Sequence, residues 1–504
     1  MTSGGIGVLM RNSGILLPVA SLPSKYGIGC FDRSAYEFVD KLAKAGQSYW
    51  QILPMGPTGY GDSPYQSFST FAGNPYFISP DELVKKGYLQ TQECEEAAEG
   101  TDDRRVRYGV LYEKRFTLLR KAFSRSGVES DADFNSFVQK NNDWLPDYAL
   151  FMAVKDSKNG QSYLEWEEDI RLRRPGAMVS YKNKLMDDVY FYEFLQYEFS
   201  CQWKALKEYA NDKGVKIIGD IPIYVALDSA DTWAHPDLFQ FDQKGQPIGV
   251  AGCPPDAFSE TGQLWGNPLY NWKVHKESGY DWWISRIRNC YEWYDMVRID
   301  HFRGLDEYYA IPYGDKTAEH GEWEPGPGMD LFTAMQKELG DLPIIAEDLG
   351  FLTDSVRKML KDSGFPGMKV LQFAFDSRED SDYLPYHYDR NSVVYTGTHD
   401  NATTFSCWDE MAKADKAVAV RYMNCGRFAS KKKLTWSLIC LAMASVSDLC
   451  VIPMQDYLCL PNTARTNTPS TMGDNWQWRM GKDAFTDSLC EKIRKMTKLY
   501  GRMG

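Results

Sequence analysis

Short apolar or β-branched bursts recur along the chain, and many of them close on a polar residue followed by Gly, Pro or another turn former. They lie at residues 14–18 (GILLP), 49–53 (YWQIL), 215–220 (VKIIGD), 296–300 (MVRID), 343–348 (PIIAED), 368–373 (MKVLQF), 393–398 (VVYTGT) and 449–454 (LCVIPM). Each reads as a strand. Between most of them the apolar residues fall at helical spacing, at 35–45, 280–294, 331–339, 355–363 and 434–445. Strand and helix alternating eight times predict an α/β fold, a (β/α)8 TIM barrel, in preference to an open doubly wound sheet.

Two gaps in this alternation are too long for simple crossovers, so residues 57–212 and 222–290 are expected to be insertions at the C-terminal mouth of a single barrel spanning 1–504. The first carries charged helical patterns at 93–107 and 190–209 and predicts a largely helical subdomain. The second is rich in Pro, Gly, Trp and Asn and reads as a structured loop. No internal repeat, heptad run or low-complexity tail interrupts the pattern.

Composition narrows the function classes. Hydrophobic residues make up 43% and charged residues 25%, as in an ordinary globular protein with a large core. Lys plus Arg total 57 against 69 Asp plus Glu, a net charge of -12, which disfavours nucleic acid or another polyanion as partner. The basic cluster at 431–433 precedes an apolar helical run and is expected to be a solvated helix start. The 11 cysteines are irregularly spaced, with no CxxC, and fit a reducing cytoplasm. No export signal or membrane anchor is expected. Aromatic residues reach 14%, compatible with stacking on sugar rings and equally with a large core.

Four of the candidate strands end on, or just before, a carboxylate: Asp220, Asp300, Glu347 with Asp348, and Asp400 two residues beyond its burst. In a barrel those ends converge on one mouth. A carboxylate cluster suits glycosidic cleavage, in which one acid must be protonated to release the leaving oxygen and another ionised to attack the anomeric carbon. Arg298 stands two residues before Asp300, so strand alternation puts both on one face, and the guanidinium is expected to keep Asp300 ionised as the nucleophile.

The segments RIDHFRG (298–304), IIAEDLG (344–350) and TGTHDN (396–401) resemble the signature segments of amylomaltases, glycoside hydrolase family 77. Similar matches run along the chain: GILLPVASLPSKYGIG (14–29), GPTGYGDSPYQSFSTFAGNPY (56–76), GDIPIYVALDSADTW (219–233), GCPPDAFSETGQLWGNPLYNW (252–272) and GDNWQWR (473–479). The resemblance implies a retaining 4-α-glucanotransferase acting on maltooligosaccharides and α-1,4-glucans without a cofactor or metal. It also implies Asp300 as nucleophile, Glu347 as general acid then base, and Asp400 as the carboxylate that grips vicinal hydroxyls of the sugar. Asp220, Arg298, His301 and His399 are then expected to line the subsite beside the nucleophile, with Tyr60 stacking on its glucose. Asp256, Gln263, Trp265 and Asn467 are candidate acceptor-side contacts. Leu227, where relatives often carry His, and the stretch 464–474 (ARTNTPSTMGD) depart from the family pattern. The rival expectations are a hydrolytic α-amylase-like enzyme and an inactive glucan-binding protein.

Overall fold

The computed structural model describes residues 11–59, 61–255, 259–350 and 352–503. Among them run twelve strands: β1 (Asn12–Leu16), β2 (Tyr49–Gln51), β3 (Lys216–Pro222), β4 (Gly249–Cys253), β5 (Gln263–Pro268), β6 (Met296–Asp300), β7 (Glu307–Pro312), β8 (Glu322–Pro325), β9 (Ile344–Ala346), β10 (Gly367–Val370), β11 (Ser392–Tyr395) and β12 (Leu449–Pro453). Eight of them close into a parallel barrel in the order β1-β12-β11-β10-β9-β6-β3-β2. All eight bursts of the sequence are these staves, displaced by no more than a few residues at either end.

Both faces of each stave are buried, which is why the staves read as unbroken apolar runs. Along β1 and its continuation, Leu16 points into the barrel with Ile218, Ile345, Val370, Tyr395 and Val451, while Ile15 and Leu17 pack outward under the helices. The helix Arg33–Lys44 shows how the outer layer is built. Asp32 caps it by accepting from the Ser34 N–H, and Ala35, Phe38, Val39 and Leu42, at helical spacing, are its buried face. Phe38 meets Trp50 of β2 edge-on at 5.1 Å, and the Trp50 indole donates to the Leu17 carbonyl at 2.8 Å. Trp50, Trp203, Trp233, Trp283 and Trp408 are all fully buried, so much of the high aromatic content is core rather than sugar platform.

Between β2 and β3 the described chain is predominantly helical and returns to the barrel through the long helix Met186–Asp212. The pattern at 93–107 holds as a helix only for Thr91–Ala98. Gly100 takes φ +82°, which ends it, and the chain beyond runs extended, with Val106 N–H donating to Gln477 O at 2.7 Å. The stretch read as a loop, 222–290, contains β4 and β5. These join β7 and β8 in a four-stranded antiparallel sheet, β5-β4-β7-β8, that stands beside the barrel. Strands such as GVAGC and QLWGNP carry Gly and Pro and little β propensity, so cross-strand pairing rather than local preference makes them strands.

The 431–433 lysines begin the helix Lys431–Ala444, capped by Ser430, with Lys431 held at 2.7 Å by Asp409. All 11 cysteines are free thiols. No described helix is long and apolar enough to cross a membrane.

Trp50 fills the space between β2 and the first barrel helix with no exposed surface. Trp50→Ala is expected to cost about 3–5 kcal/mol of stability, read as a fall in the urea midpoint at unchanged slope.

Candidate active site

Register fixes which carboxylates become neighbours. Asp220 of β3 lies opposite Arg298 of β6, and Arg298 and Ile299 lie opposite Ile345 and Ala346 of β9, so Glu347, one residue beyond β9, emerges next to Asp300. The inward line of β6 is Arg298 then Asp300, since Val297 and Ile299 belong to the outer core. Arg298 is 3% exposed and fully committed. Its Nη1 donates to both oxygens of Asp220 at 2.8 Å, its Nη2 to Asp300 Oδ1 at 2.8 Å, and its Nε to the Met368 sulfur at 3.4 Å.

The apolar burst alone does not separate the adjacent acids Glu347 and Asp348, the resemblance points to Glu347, and packing places the two differently. Asp348 turns away and accepts from the Met368 N–H at 2.6 Å, tying β9 to β10. Gly367 makes that possible, because a Cβ there would lie 2.5 Å from an Asp348 oxygen. Glu347 points into the mouth, where Oε2 accepts from the His301 N–H at 2.7 Å and Oε1 from the Leu349 N–H at 2.9 Å. His301 sits at φ +53°, a left-handed turn that aims its N–H back at Glu347.

Asp400 comes from the loop beyond β11. Its Oδ1 accepts from the Asn467 amide at 2.6 Å and lies 3.4 Å from the His399 Nε2, while the Asn467 N–H donates to the His399 carbonyl at 3.1 Å. On the opposite wall Trp265 of β5 stands edge-on to the His301 ring at 4.8 Å, and its indole donates to Gln263 Oε1 at 3.1 Å.

One cavity of about 790 Å³ is lined by Asp300, Glu347, Asp400, Arg298, His301, His399, Gln263, Trp265 and Asn467. Asp220 is placed differently from the expectation that it lines the subsite. It is 0% exposed and does not line this cavity, and its oxygens are taken by Arg298 and by the Tyr65 hydroxyl at 2.8 Å. Tyr60 and Asp256 lie outside the described residues. Sequence reasoning passed over Tyr65 and Trp476, which also line the cavity. Tyr65 sits in the same 56–76 motif that supplied Tyr60, five residues on, and that motif was the available signal.

The electrostatics divide the two central acids. Burial, reinforced by the Asp300 charge, pushes Glu347 up to about 7, against the pull of Arg298 and the two backbone N–H donors. Burial also raises Asp220, opposed chiefly by Arg298. For Arg298, burial alone would lower the value, but the carboxylates of Asp220 and Asp300 more than offset it, so the guanidinium stays charged. Burial takes His301 down to about 4, leaving a neutral imidazole at neutral pH. The cluster thus sets an arginine-paired carboxyl beside one whose affinity for its proton is raised to about 7, on adjacent staves, an asymmetry that suits cleavage of a glycosidic bond.

Since its folded-state value is raised, Glu347 contributes its stability below the ordinary 4.5 and loses that contribution as pH climbs through about 7. Its carboxyl signal, followed by carbon-13 NMR or infrared difference spectroscopy, is expected to titrate near 7. In Asp300→Asn the midpoint should move down, because a neighbouring negative charge is gone, yet remain above 4.5, because burial persists.

The comparisons with known proteins agree with this geometry. Residues 17–484 match the family model of glycoside hydrolase family 77, described as 4-alpha-glucanotransferase. The chain is 48% identical over 487 residues to the 4-alpha-glucanotransferase of Clostridium butyricum, covering 96% of this chain and 99% of that protein. It is 43% identical over 503 residues to that of Thermus thermophilus, covering 98% and 100%. Among solved structures, the amylomaltase from Streptococcus agalactiae in complex with acarbose superposes with a TM-score of 0.94 at 42% identity, covering 98% of this chain and 99% of the other. On the family match and on full-length identity far above what chance allows, the chain belongs to glycoside hydrolase family 77, the 4-alpha-glucanotransferases.

Proposed function

We propose that this chain transfers α-1,4-glucan segments from a donor maltooligosaccharide to glucose or another glucan through a covalent glucosyl-Asp300 intermediate. The observation that carries the reading is the pairing of Asp300, hydrogen-bonded to Arg298, with a raised Glu347 across one cavity. Glu347 protonates the glycosidic oxygen as the Asp300 carboxylate attacks the anomeric carbon. The chain fragment beyond the cut leaves with that proton, and Glu347, now ionised, takes the proton of the incoming 4-hydroxyl as it displaces Asp300.

Asp400, fixed by Asn467 and His399, is placed to accept from sugar hydroxyls at the same cavity. Arg298, His301 and His399 wall the subsite beside the nucleophile, and Asp220 supports it from below. Gln263 and Trp265 stand on the wall assigned to the acceptor. Tyr60 and Asp256 keep the roles that the family resemblance implies.

Transfer has to compete with water. Water stands near ~55 M and an acceptor near ~1 mM, so the acceptor must gain a preference of about 10⁴ to 10⁵, or about 6–7 kcal/mol, from binding and orientation. The full-length relatives named 4-alpha-glucanotransferase support transfer over plain hydrolysis, and the intact carboxylate set speaks against a binding-only protein. A wall of β5 carrying Trp265 against His301 is a suitable surface for seating that acceptor and displacing water.

Incubated with maltotriose, the purified protein is expected to produce glucose together with a ladder of longer oligosaccharides. Reducing ends that only accumulate would overturn the transfer reading. Asp300→Asn should lose about 10⁴-fold or more in turnover while still binding glucan. Trp265→Ala should raise the ratio of hydrolysis to transfer by roughly tenfold, equivalent to losing about 1.4 kcal/mol of acceptor binding, with donor cleavage much less affected.

A further inference from the structure

A second cleft, of about 300 Å³, opens where the helical insertion meets the insertion that follows β3, and the catalytic scheme gives it no task. Its walls include Trp144 at the head of the helix Leu145–Ser157, the stretch 230–238 beyond β3, and the first turns of the helix Asp281–Trp293. That last helix leads into β6, so its first turn lies at the end of the barrel where the carboxylates emerge. The loop after β2 serves both hollows, with Gln66 lining the catalytic cavity and Ser69 the cleft. Three residues of chain span at most about 11 Å, so the two hollows are close neighbours.

The walls carry the chemistry of a hydroxylated ligand. Trp144 is half-buried, and Phe71 stacks on it at 6.2 Å and 17°, which holds the indole as a flat platform. Asp143, Asp237 and Asp281 stand exposed at the cleft and carry no hydrogen bond or ion pair among the described residues, so their oxygens are free to accept. No Lys or Arg is among the described residues that line it. Trp282, 9% exposed, also lines the cleft, and its indole N–H meets no acceptor among the described residues. A buried donor left unpaired is costly, and a ligand oxygen would relieve it. An organic cation, which acids and rings also attract, has no lone pair to offer that N–H. A sugar offers both kinds of group: its hydroxyls donate to the acids, their oxygens accept from the indole, and its apolar face lies on the ring.

We propose that this cleft is an accessory α-glucan site, about one or two glucose units in extent, which holds a polymeric donor beside the catalytic mouth. The inference rests on the reading of the chain as an enzyme acting on α-1,4-glucans. A polymer anchored there raises the effective concentration of its other segments at Asp300. A trisaccharide seated in the catalytic cavity has nothing left over to anchor and gains nothing from the cleft.

The test compares the wild type with Trp144→Ala and with the double variant Asp143→Ala/Asp281→Ala, which removes two exposed acceptors and leaves the core intact, with folding checked by thermal unfolding. Each protein is read by its retardation in native gels containing amylopectin and by initial rates on amylose and on maltotriose. In both variants the apparent Kd for amylopectin and the KM for amylose are expected to rise about tenfold, while kcat and the maltotriose KM stay within about twofold. The double variant supplies the answer if Trp144→Ala does not fold. Unchanged retardation and unchanged amylose KM would overturn the proposal, as would a loss on maltotriose equal to that on amylose, which marks damage to the catalytic cavity instead. Spermidine that raises the thermal midpoint of the wild type but not of the double variant, with equal retardation by amylopectin in the two, would make this a cation site and equally overturn it. A wild type that leaves maltotriose unlengthened would sink the glucan reading itself, a result separable from any outcome at the cleft.

Discussion

A guanidinium with almost no contact with water is costly unless every N–H meets an acceptor and its charge is balanced. Each nitrogen of Arg298 meets an acceptor, with Asp220 on one side, Asp300 on the other and the Met368 sulfur at Nε, so two carboxyls share one guanidinium. Glu347, buried beside this cluster and without an ion pair of its own, holds its proton to about 7, chiefly because burial penalises its charged form and then because of the Asp300 charge, against the pull of Arg298. Asp300 and Glu347 are thereby distinguished by surroundings, the one bonded to a shared arginine and the other buried without a cation partner, although both are carboxylates of neighbouring staves. Much of the rest of the architecture can be understood as what is needed to keep that arrangement dry and in register.

The barrel supplies register. Parallel staves bring Asp220, Arg298, Asp300 and Glu347 to adjacent positions through backbone pairing alone, before any side chain has chosen a rotamer. Backbone N–H groups then refine the aim of Glu347, with the left-handed turn at His301 contributing one and Leu349 the other. Fixed backbone donors stay in place when the charge of the carboxyl they bind changes, which suits the acid-then-base role proposed for Glu347.

The elements outside the barrel supply enclosure. The sheet β5-β4-β7-β8 brings Trp265 against His301, the loop after β2 brings Tyr65 against His399, and the 464–476 segment brings Asn467 against Asp400. Each of these contacts joins an insertion or a distant segment to a loop at a stave end. The departures at Leu227 and in 464–474 fall in such segments.

The sequence by itself determined the staves, because both faces of a parallel barrel are apolar and leave runs that turn residues punctuate. It also determined that Arg298 and Asp300 share a face, because strand alternation has a fixed period. Of the twelve site residues that the resemblance named, the structure brings nine to one cavity. Tertiary structure alone decided what depends on partners distant in the chain. It supplied the reason that Asp348 turns away while Glu347, as the resemblance expected, reaches the mouth, since that depends on the space left by Gly367. It made strands of Gly- and Pro-bearing segments that no local preference marks, since their hydrogen bonds come from across the sheet. It buried Asp220 and set the Tyr65 hydroxyl against it, since hydrogen bonds between residues 155 positions apart have no period to betray them.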